Sequence, residues 1–342
     1  MKQTIKRKTL LLETSVTAIE QAVKYLESDE LVAFPTETVY GLGASAISDS
    51  AVSKIFLVKG RPSFNPLIVH IASPEDAFLL ANVPKIAEKL IECFWPGPLT
   101  LVLPKKSHLE NKLSDLVSGG LETVALRVPQ HPIAKALINA FGKPVAAPSA
   151  NVSGKISTTR TQDVLKNFDG KISAVIRDKP CQIGLESTII GFEQGIPVLL
   201  RPGGISTEDI KAKLNLSISK AKDPQKPGES ILAPGMLESH YAPNTKLRLN
   251  AIQPKPRELF LGFGRMPKGS QGFCLSESSD VNEAGANLFA ALNDLDLLAS
   301  KLNKETIAVA PIPTSGMGQA INDRLKRAAA TKNYAEPPKV AK

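Results

Sequence analysis

The chain has 342 residues, 42% of them hydrophobic, which is enough to build the cores of about two domains of ordinary size. Its 42 Lys and Arg residues outnumber 33 Asp and Glu residues, and the resulting net charge of +9 suits a polyanionic ligand such as a nucleotide or RNA. Three scattered cysteines, with no CxxC pair and no neighbouring histidine, argue against a zinc knuckle or a disulfide framework. No apolar run reaches the roughly 20 residues that span a bilayer, and no signal-peptide core follows the basic N-terminus. We therefore expect a cytoplasmic protein without a membrane segment.

The first part of the chain contains many short strand signals with few helices between them. Apolar residues at helical spacing predict a helix over 16–28, and a strand over 31–34 follows it. Asp49 or Ser50 can cap a second helix, which Gly60 ends. Further β-rich runs are bounded by Pro and Gly: PLIVHI, LTLVLP, TVALRVP, KPVAAPS, SAVIRD, ESTIIGF and PVLLRPG. This pattern favours an α+β fold with a mixed, twisted sheet and flanking helices over a doubly wound fold.

Three more helices are predicted between residues 131 and 214. The amino-acid composition then changes after residue 215. Helices are indicated over 131–140, over 159–167 and over 207–214, where Ser206 can cap the last one. Residues 216–245 then carry an excess of Pro, Gly, Ser and Lys, which is typical of a linker. This linker also contains apolar residues that need burial, and we predict that it packs as a lid over the first domain, at whatever ligand site that domain carries: Ile231, Leu232, Met236, Leu237 and Tyr241.

A second unit is predicted beyond the linker. The runs KLRLN, ELFLGFG, GFCLS and TIAVAPIP indicate strands, with a long helix over about 281–300 and a last helix over 318–330. We predict a first domain over 1–215, the linker over 216–245, a small Rossmann-like α/β domain over 246–330 and a basic tail over 331–342.

Common nucleotide and hydrolase motifs are absent: the sequence has no Walker A pattern, no H-E-x-x-H and no G-x-S-x-G. The GLG at 41–43 lacks the third glycine of a dinucleotide fingerprint, and by itself it indicates a turn after a strand. Lys59 and Arg61 flank Gly60 at a predicted helix end. They are either compensation of the helix dipole or a phosphate clamp, with Lys as a point charge and Arg as a fork.

Other polar side chains follow predicted strands. Ser149 and Asn151 in APSANVSG indicate either a polar loop or a ligand site. Ser187 and Arg201 stand at strand ends, where ligands of α/β sheets collect. Thr36, in FPTETVYGLG, offers a hydroxyl beside bare glycine backbone, and Glu37 is assigned a structural rather than a catalytic role.

Seven of these motifs together resemble the YrdC-like family of L-threonylcarbamoyladenylate synthases. They are FPTETVYGLG, KGRPSFNPLIVHI, FWPGPLTLVLP, VALRVPQHP, APSAN, ESTII and LLRPG. The PGMLESHYAP in the linker and the α/β unit after it are similar to the two-domain form of that family. The resemblance runs from about residue 15 to residue 327.

The resemblance implies a nucleotidyltransferase that makes threonylcarbamoyl-AMP from L-threonine, bicarbonate and ATP, with Mg2+ on the phosphates, and releases pyrophosphate. A separate transferase complex would then modify tRNAs that read codons beginning with A, and weak tRNA binding is possible. The implied catalytic tetrad is Lys59, Arg61, Ser149 and Asn151. The implied threonine ligands are Thr36, His70, Arg127 and Ser187. ATP would meet the tetrad and also Thr123, Arg201 and Tyr241.

Three points stay open in the sequence. His70 could be a general base, but its apolar neighbours favour a role in orienting the ligand. A basic sheet surface could instead make the chain an RNA-binding module. A carbamoyl-transfer domain of hydrogenase maturation is similar to the same family, but it would carry zinc-finger cysteines and an acylphosphatase region, which this chain lacks.

Overall fold

The protein is described here by a computed structural model that covers residues 8–106, 113–221, 234 and 239–330. The predicted basic tail and most of the predicted linker, including Ile231, Leu232, Met236 and Leu237, lie outside the described residues. Within the described ranges, none of the helices combines the length and apolar character that crossing a membrane requires.

The larger sheet of the described residues has eleven short strands. They are β1 (Leu10–Leu12), β2 (Val32–Phe34), β3 (Gly41–Ser45), β4 (Ile68–His70), β5 (Leu99–Pro104), β6 (Thr123–Arg127), β7 (Val145–Ala146), β8 (Ala174–Ile176), β9 (Thr188–Glu193), β10 (Ile196–Arg201) and β11 (Ser219–Lys220). Their spatial order is β1-β8-β2-β3-β7-β4-β6-β5-β9-β10-β11. Parallel pairs such as β4–β6 stand beside antiparallel pairs such as β4–β7, so the predicted mixed sheet is confirmed.

Helices pack against this sheet through their apolar faces. They are α1 (Val16–Glu27), α2 (Asp49–Lys59), α3 (Glu75–Leu80), α4 (Lys85–Phe94), α5 (Asp115–Ser118), α6 (Pro132–Phe141), α7 (Thr161–Phe168) and α8 (Thr207–Leu214). Ser206 caps α8 with a capping box, as its sequence predicts. The cap of α2 is Ser48 rather than Asp49 or Ser50, because the Ser48 hydroxyl accepts a hydrogen bond from the Ala51 amide at 3.2 Å.

Other features also differ from the sequence prediction. Gly41 and Gly43 lie in strand β3, not in a turn, and a Cβ at Gly43 would stand 2.7 Å from the Phe34 ring on the adjacent strand. The glycine therefore makes room for an aromatic side chain. Helix α4 was not predicted, although its buried Ala87, Leu90 and Ile91 have helical spacing.

The second unit has a smaller, all-parallel sheet in the order β12-β15-β13-β14. Its elements are β12 (Lys246–Arg248), β13 (Glu258–Gly262), β14 (Gly272–Cys274), α9 (Val281–Lys301), β15 (Thr306–Val309) and α10 (Met317–Ala329). The predicted long helix and last helix correspond to α9 and α10. A parallel sheet with two helices agrees with an α/β unit, and its Rossmann-like character stays a prediction.

The core of the second unit extends into the first. Leu288, Phe289 and other α9 side chains form one buried cluster with Val39 and Leu185, which belong to loops of the first unit. Gly184, at φ +72°, brings its backbone so close that a Cβ there would lie 2.5 Å from the Cα of Ala286 in α9. The two units therefore share packed apolar surface next to the 183–187 segment.

Candidate active site

A pocket lies where β4 and β7 run side by side, and it is lined by the first unit and by three residues of the predicted linker. Its lining residues are Thr36, Thr38, Val39, Tyr40, Gly41, Arg61, Ile68, His70, Arg127, Ala147, Pro148, Ser149, Glu186, Ser187, Arg201, Pro234, His240 and Tyr241. Eight of the eleven residues predicted for the site thus line one pocket. The other three, Lys59, Asn151 and Thr123, are not among the lining residues.

The loop between β2 and β3 forms one wall of the pocket. The Thr36 hydroxyl lies 2.7 Å from the Thr38 hydroxyl and donates to the Val39 carbonyl at 2.7 Å, and it accepts from the amides of Thr38 and Val39 at 3.2 Å each. These bonds fold the loop into a tight polar turn. Thr36, which is 2% exposed, therefore shapes the wall as well as facing the pocket.

Arg127, the last residue of β6, is held by the same loop. Its Nη2 lies 2.6 Å from Oε1 of Glu37, and its Nη1 donates to the Thr38 hydroxyl at 3.0 Å. The other Glu37 oxygen accepts from the Gln130 amide at 3.2 Å. Burial raises the pKa of Glu37, but attraction to Arg127 outweighs it and the pKa lies below its ordinary value. Glu37 thus fixes the direction of the Arg127 guanidinium, a contact that agrees with a structural role.

His70 is paired with Arg127 in register across β4 and β6. The imidazole is 3% exposed, and its Nδ1 has no hydrogen-bond partner among the residues that the structure describes. Burial, followed by the charge of Arg127, lowers the pKa of His70 to about 3. A neutral ring with a free nitrogen can orient a ligand, but its low basicity makes it a poor general base near pH 7.

Ser187 and Arg201 come together because β9 and β10 are antiparallel neighbours. The Arg201 guanidinium donates to the Ser187 carbonyl at 3.0 Å and to the Ser187 hydroxyl at 3.3 Å. That hydroxyl also lies 2.7 Å from the hydroxyl of Thr100. Arg201 Nη1 reaches the carbonyl of Pro234, a residue of the predicted lid, at 3.1 Å.

Lys59 and Arg61 leave the end of α2 in different directions. Lys59 is 1% exposed, and its Nζ donates to the backbone carbonyls of Ser149, at 2.6 Å, and Asn151. Arg61 donates to the side chain of Asn65 at 2.6 Å and to the Pro66 carbonyl at 2.8 Å. Burial lowers the pKa of both groups. Arg61 thus binds the loop that follows and lines the pocket, two features that the helix-dipole interpretation does not require.

The segment after β7, which carries Ser149 and Asn151, is held by contacts with Lys59 of α2 and Gly41 of β3. Asn151 donates through Nδ2 to the carbonyls of Val152 and Lys155, at 2.9 and 2.8 Å, and its buried Oδ1 has no partner in the described part of the chain. Ser149 forms an antiparallel bridge with Gly41. Lys59 thus fastens this segment behind the pocket while Ser149 faces into it.

Thr123 and Tyr241, the two other residues predicted to meet ATP, belong to β6 and to the predicted linker. Thr123 begins β6, four residues before Arg127, and it is paired with Pro104 at the far end of the strand. Tyr241 is 1% exposed and stacks on Phe289 of α9, with ring centroids 5.6 Å apart. The predicted lid residue is therefore packed between the pocket and the second unit.

The pocket is electrically positive. Three buried guanidinium groups line it, on Arg61, Arg127 and Arg201, and Glu186 is the one carboxylate among its lining residues. Sequence reasoning missed Glu186, although it stands beside Ser187 in the ESTII motif. Its binding partner Arg324 lies 138 positions away in α10, and no local pattern connects the two.

Comparison with known proteins identifies two matched regions. A family model described as "Telomere recombination" matches residues 24–203. A second model, described as "Threonylcarbamoyl-AMP synthase, C-terminal domain", matches residues 205–330.

Individual relatives match nearly the whole chain. Threonylcarbamoyl-AMP synthase of Pyrococcus abyssi is 40% identical over 325 residues, covering 91% of this chain and 93% of the relative. The enzyme of the same name from Bacillus subtilis is 41% identical over 339 residues, covering 93% and 94%. The crystal structure of P. abyssi Sua5 complexed with L-threonine superposes with a TM-score of 0.84 at 38% identity, covering 94% of this chain and 98% of that one.

Proposed function

The chain belongs to the threonylcarbamoyl-AMP synthase family, and we propose that its pocket joins L-threonine, bicarbonate and ATP into threonylcarbamoyl-AMP with release of pyrophosphate. One observation supports placing this reaction in the pocket, namely the charge of the groups that line it. Three buried guanidinium groups converge there, while its one lining carboxylate is already bound to Arg324. Such a site attracts anions, and two of the three substrates are anionic while the third carries a carboxylate.

L-Threonine is proposed to occupy the side of the pocket next to Arg127. The guanidinium, aimed by Glu37, would bind the substrate carboxylate, because a fork of N–H donors matches its two oxygens. The free Nδ1 of His70 and the hydroxyls of Thr36 and Ser187 are proposed to hydrogen-bond the amine and hydroxyl of the substrate. The relative whose crystal structure contains L-threonine supports this part of the proposal.

ATP is proposed to lie across the remainder of the pocket. Arg61 and Arg201 would bind its phosphates, with Ser149 and Tyr241 beside them. Lys59 and Asn151 do not line the pocket and would support the ATP site indirectly. Lys59 fixes the backbone of the segment that carries Ser149. The Oδ1 of Asn151 has no partner within the described ranges and is free to accept a bond from a ligand or water. Contact of Thr123 with ATP stays a prediction.

The proposed reaction has two bond-forming steps. The neutral amine of threonine attacks the carbon of bicarbonate, and loss of water gives a carbamate. A carbamate oxygen then attacks the α-phosphorus of ATP, and the bond from that phosphorus to the pyrophosphate oxygen breaks. Both partners in the second step are anions, so fixed cations at the developing charge are the main assistance that the protein can give. We assign that assistance to Arg61 and Arg201.

Mg2+ is proposed to arrive with ATP rather than to reside in the protein. Among the described residues there is no group of three or more His, Cys, Asp and Glu side chains placed to hold a metal ion. Glu186, the carboxylate that lines the pocket, is occupied by Ser157 at 2.5 Å and by Arg324 at 2.8 Å. Mg2+ commonly binds substrate phosphates and keeps several waters, which suits a pocket without a carboxylate cage.

The product is proposed to pass to a tRNA threonylcarbamoyl transferase complex that modifies tRNAs reading codons beginning with A. The carbamate and the adenylate are both readily hydrolysed, so a lid of linker residues would protect them. Pro234, His240 and Tyr241 line the pocket, which supports the lid. The net charge of +9 supports weak tRNA binding, and a cytoplasmic location stays a prediction.

The test is pyrophosphate release by the purified full-length chain with ATP, L-threonine and bicarbonate, without RNA. We expect release that requires both threonine and bicarbonate, together with an adenylate of the mass of threonylcarbamoyl-AMP. Release that needs tRNA, or tRNA binding with no release at all, would instead favour the RNA-binding interpretation.

A further inference from the structure

The second unit places a fully buried arginine against the wall of the active site. Arg324 of α10 is 0% exposed. Its Nε donates to Oε2 of Glu186 at 2.8 Å, and its Nη2 donates to the Pro202 carbonyl at 2.9 Å. Its guanidinium carbon lies 5.1 Å from the centre of the Tyr241 ring. One side chain therefore contacts three segments of the site, namely those that carry Glu186, Arg201 and Tyr241.

Glu186 is a carboxylate in a pocket whose other charged lining groups are cations. Burial raises its pKa, but attraction to Arg324 and Arg201 outweighs this and the pKa lies below its ordinary value, so the group is ionised at pH 7. An ionised carboxylate without a counter-charge would repel ATP and weaken the attraction of Arg201 for phosphate. Arg324 approaches from the side of the second unit and supplies that counter-charge.

The surrounding contacts keep Arg324 and Glu186 in this arrangement. The segment before Glu186 is pressed against α9 through Gly184, and Leu185 belongs to the apolar core of the second unit. Asp323, the other carboxylate bound to Arg324, also binds Arg327 at 3.1 Å. Loss of Arg324 would therefore leave Asp323 with a cationic partner but would leave Glu186 with the Ser157 hydroxyl alone at hydrogen-bond distance in the described structure.

We propose that Arg324 is a positioning residue of the ATP site, through which the second unit neutralises Glu186 and holds Tyr241 against the pocket. This rests on the proposed function, since it names the part that the second unit plays in binding ATP. It assigns to that unit an electrostatic role in the active site. The role differs from that of a lid residue, because Arg324 does not line the pocket and acts through Glu186 of the wall and Tyr241 of the predicted lid.

Steady-state kinetics of the full-length chain test this through a double-mutant cycle. Arg324→Met removes the charge but keeps an unbranched apolar stem, and we expect it to raise the KM for ATP about tenfold or more, as loss of one partner of a buried charge pair does. The KM for threonine should rise much less, because threonine is a zwitterion without net charge. Adding Glu186→Gln should return the ATP KM to within about threefold of the unsubstituted chain, since no unpaired carboxylate then remains.

A control variant distinguishes an electrostatic effect on the ATP site from a general weakening of the contact between the two units. Arg160→Met breaks another ion pair between the units, in which Arg160 binds Asp294 of α9 at 2.7 Å, and neither residue lines the pocket. It should leave the ratio of the two KM values unchanged. If Arg324→Met fails to fold, Arg324→Lys replaces it. Retention of the charge should then keep the ATP KM within about threefold of that of the unsubstituted chain, and a rise of about tenfold or more would contradict charge neutralisation.

The outcomes that overturn the proposal are specific. A folded double variant with an ATP KM as high as that of Arg324→Met excludes charge neutralisation, as does an equal rise of both KM values. If the unsubstituted chain releases no pyrophosphate, the proposed reaction fails by itself. The same variants are then compared by direct binding of a non-hydrolysable ATP analogue, and an affinity that is insensitive to Arg324→Met also overturns the role of Arg324.

Discussion

Glu37 and Arg127 form a buried ion pair with 2.6 Å between Oε1 and Nη2, and it joins the β2–β3 loop to the end of β6. Both side chains are less than 7% exposed. The pair matters for binding because the guanidinium that faces the pocket has its direction set by a carboxylate behind it. A buried pair of this kind is sensitive to loss of either partner.

Glu37→Gln should therefore weaken threonine binding and stability together. Glutamine keeps the volume but leaves the Arg127 charge uncompensated, which we expect to raise the threonine KM about tenfold and to cost about 3 kcal/mol in the free energy of unfolding. Threonine titrations of pyrophosphate release and urea unfolding measure the two effects. Glu258→Gln, at the Arg248 ion pair of the second unit, is the matched control and should leave the threonine KM unchanged. An unchanged KM in Glu37→Gln would contradict the positioning role.

The buried histidines predict how stability depends on pH. Burial lowers the pKa values of His70 and His240 to about 3, whereas the unfolded chain protonates histidine near 6.5. As pH falls below 6.5 the unfolded state binds more protons than the folded state, so stability decreases by up to about 1.4 kcal/mol per pH unit for each histidine. Urea unfolding at pH 7 and pH 5 should show this loss. His70→Asn should make the loss smaller, and an equal loss in that variant would show that His70 is protonated in the folded state.

Substitutions of Arg61 test whether its guanidinium stabilises the charge that develops during the reaction. Arg61→Ala should lower turnover about a hundredfold or more, on the scale of losing one preorganised charge stabiliser. Arg61→Lys should recover little, because an ammonium cannot reproduce a guanidinium that binds Asn65 and Pro66 at the same time. These bonds also mean that the alanine variant should loosen the 61–66 loop, so thermal unfolding must be measured beside turnover. Near-normal turnover in the alanine variant would return Arg61 to a purely structural role.

Gly184 tests whether docking of the second unit supports activity. Gly184→Ala places a methyl group 2.5 Å from the Cα of Ala286, so α9 has to move, and we expect weaker ATP binding and lower thermal stability. Gly120→Ala is the matched control, because Gly120 also has positive φ, at +82°, but nothing lies within 4 Å of its Cβ position. The control should cost only about 1 kcal/mol of backbone strain and should leave the ATP KM unchanged. Equal kinetic effects of the two substitutions would mean that docking does not matter.

Local sequence patterns determined much of the fold. The helix over 16–28, the Ser206 cap and the β-rich runs are short-range features, because spacing of apolar residues and cap chemistry act within a few positions. Eight of the eleven predicted site residues line one pocket in the structure, seven of them from the seven motifs and Tyr241 from the linker. Their roles as ligands stay predictions, as do the boundaries between the domains.

Only the tertiary structure decided which groups meet across long stretches of chain. It showed that Arg61 binds the loop after it, that GLG is a strand fitted around Phe34, and that Tyr241 stacks on Phe289. The pairing of Glu186 with Arg324 spans 138 positions, and no periodicity or motif links them. The physical reason is that packing of the whole chain decides which groups are buried together, so the partners are not selected by their neighbours in sequence.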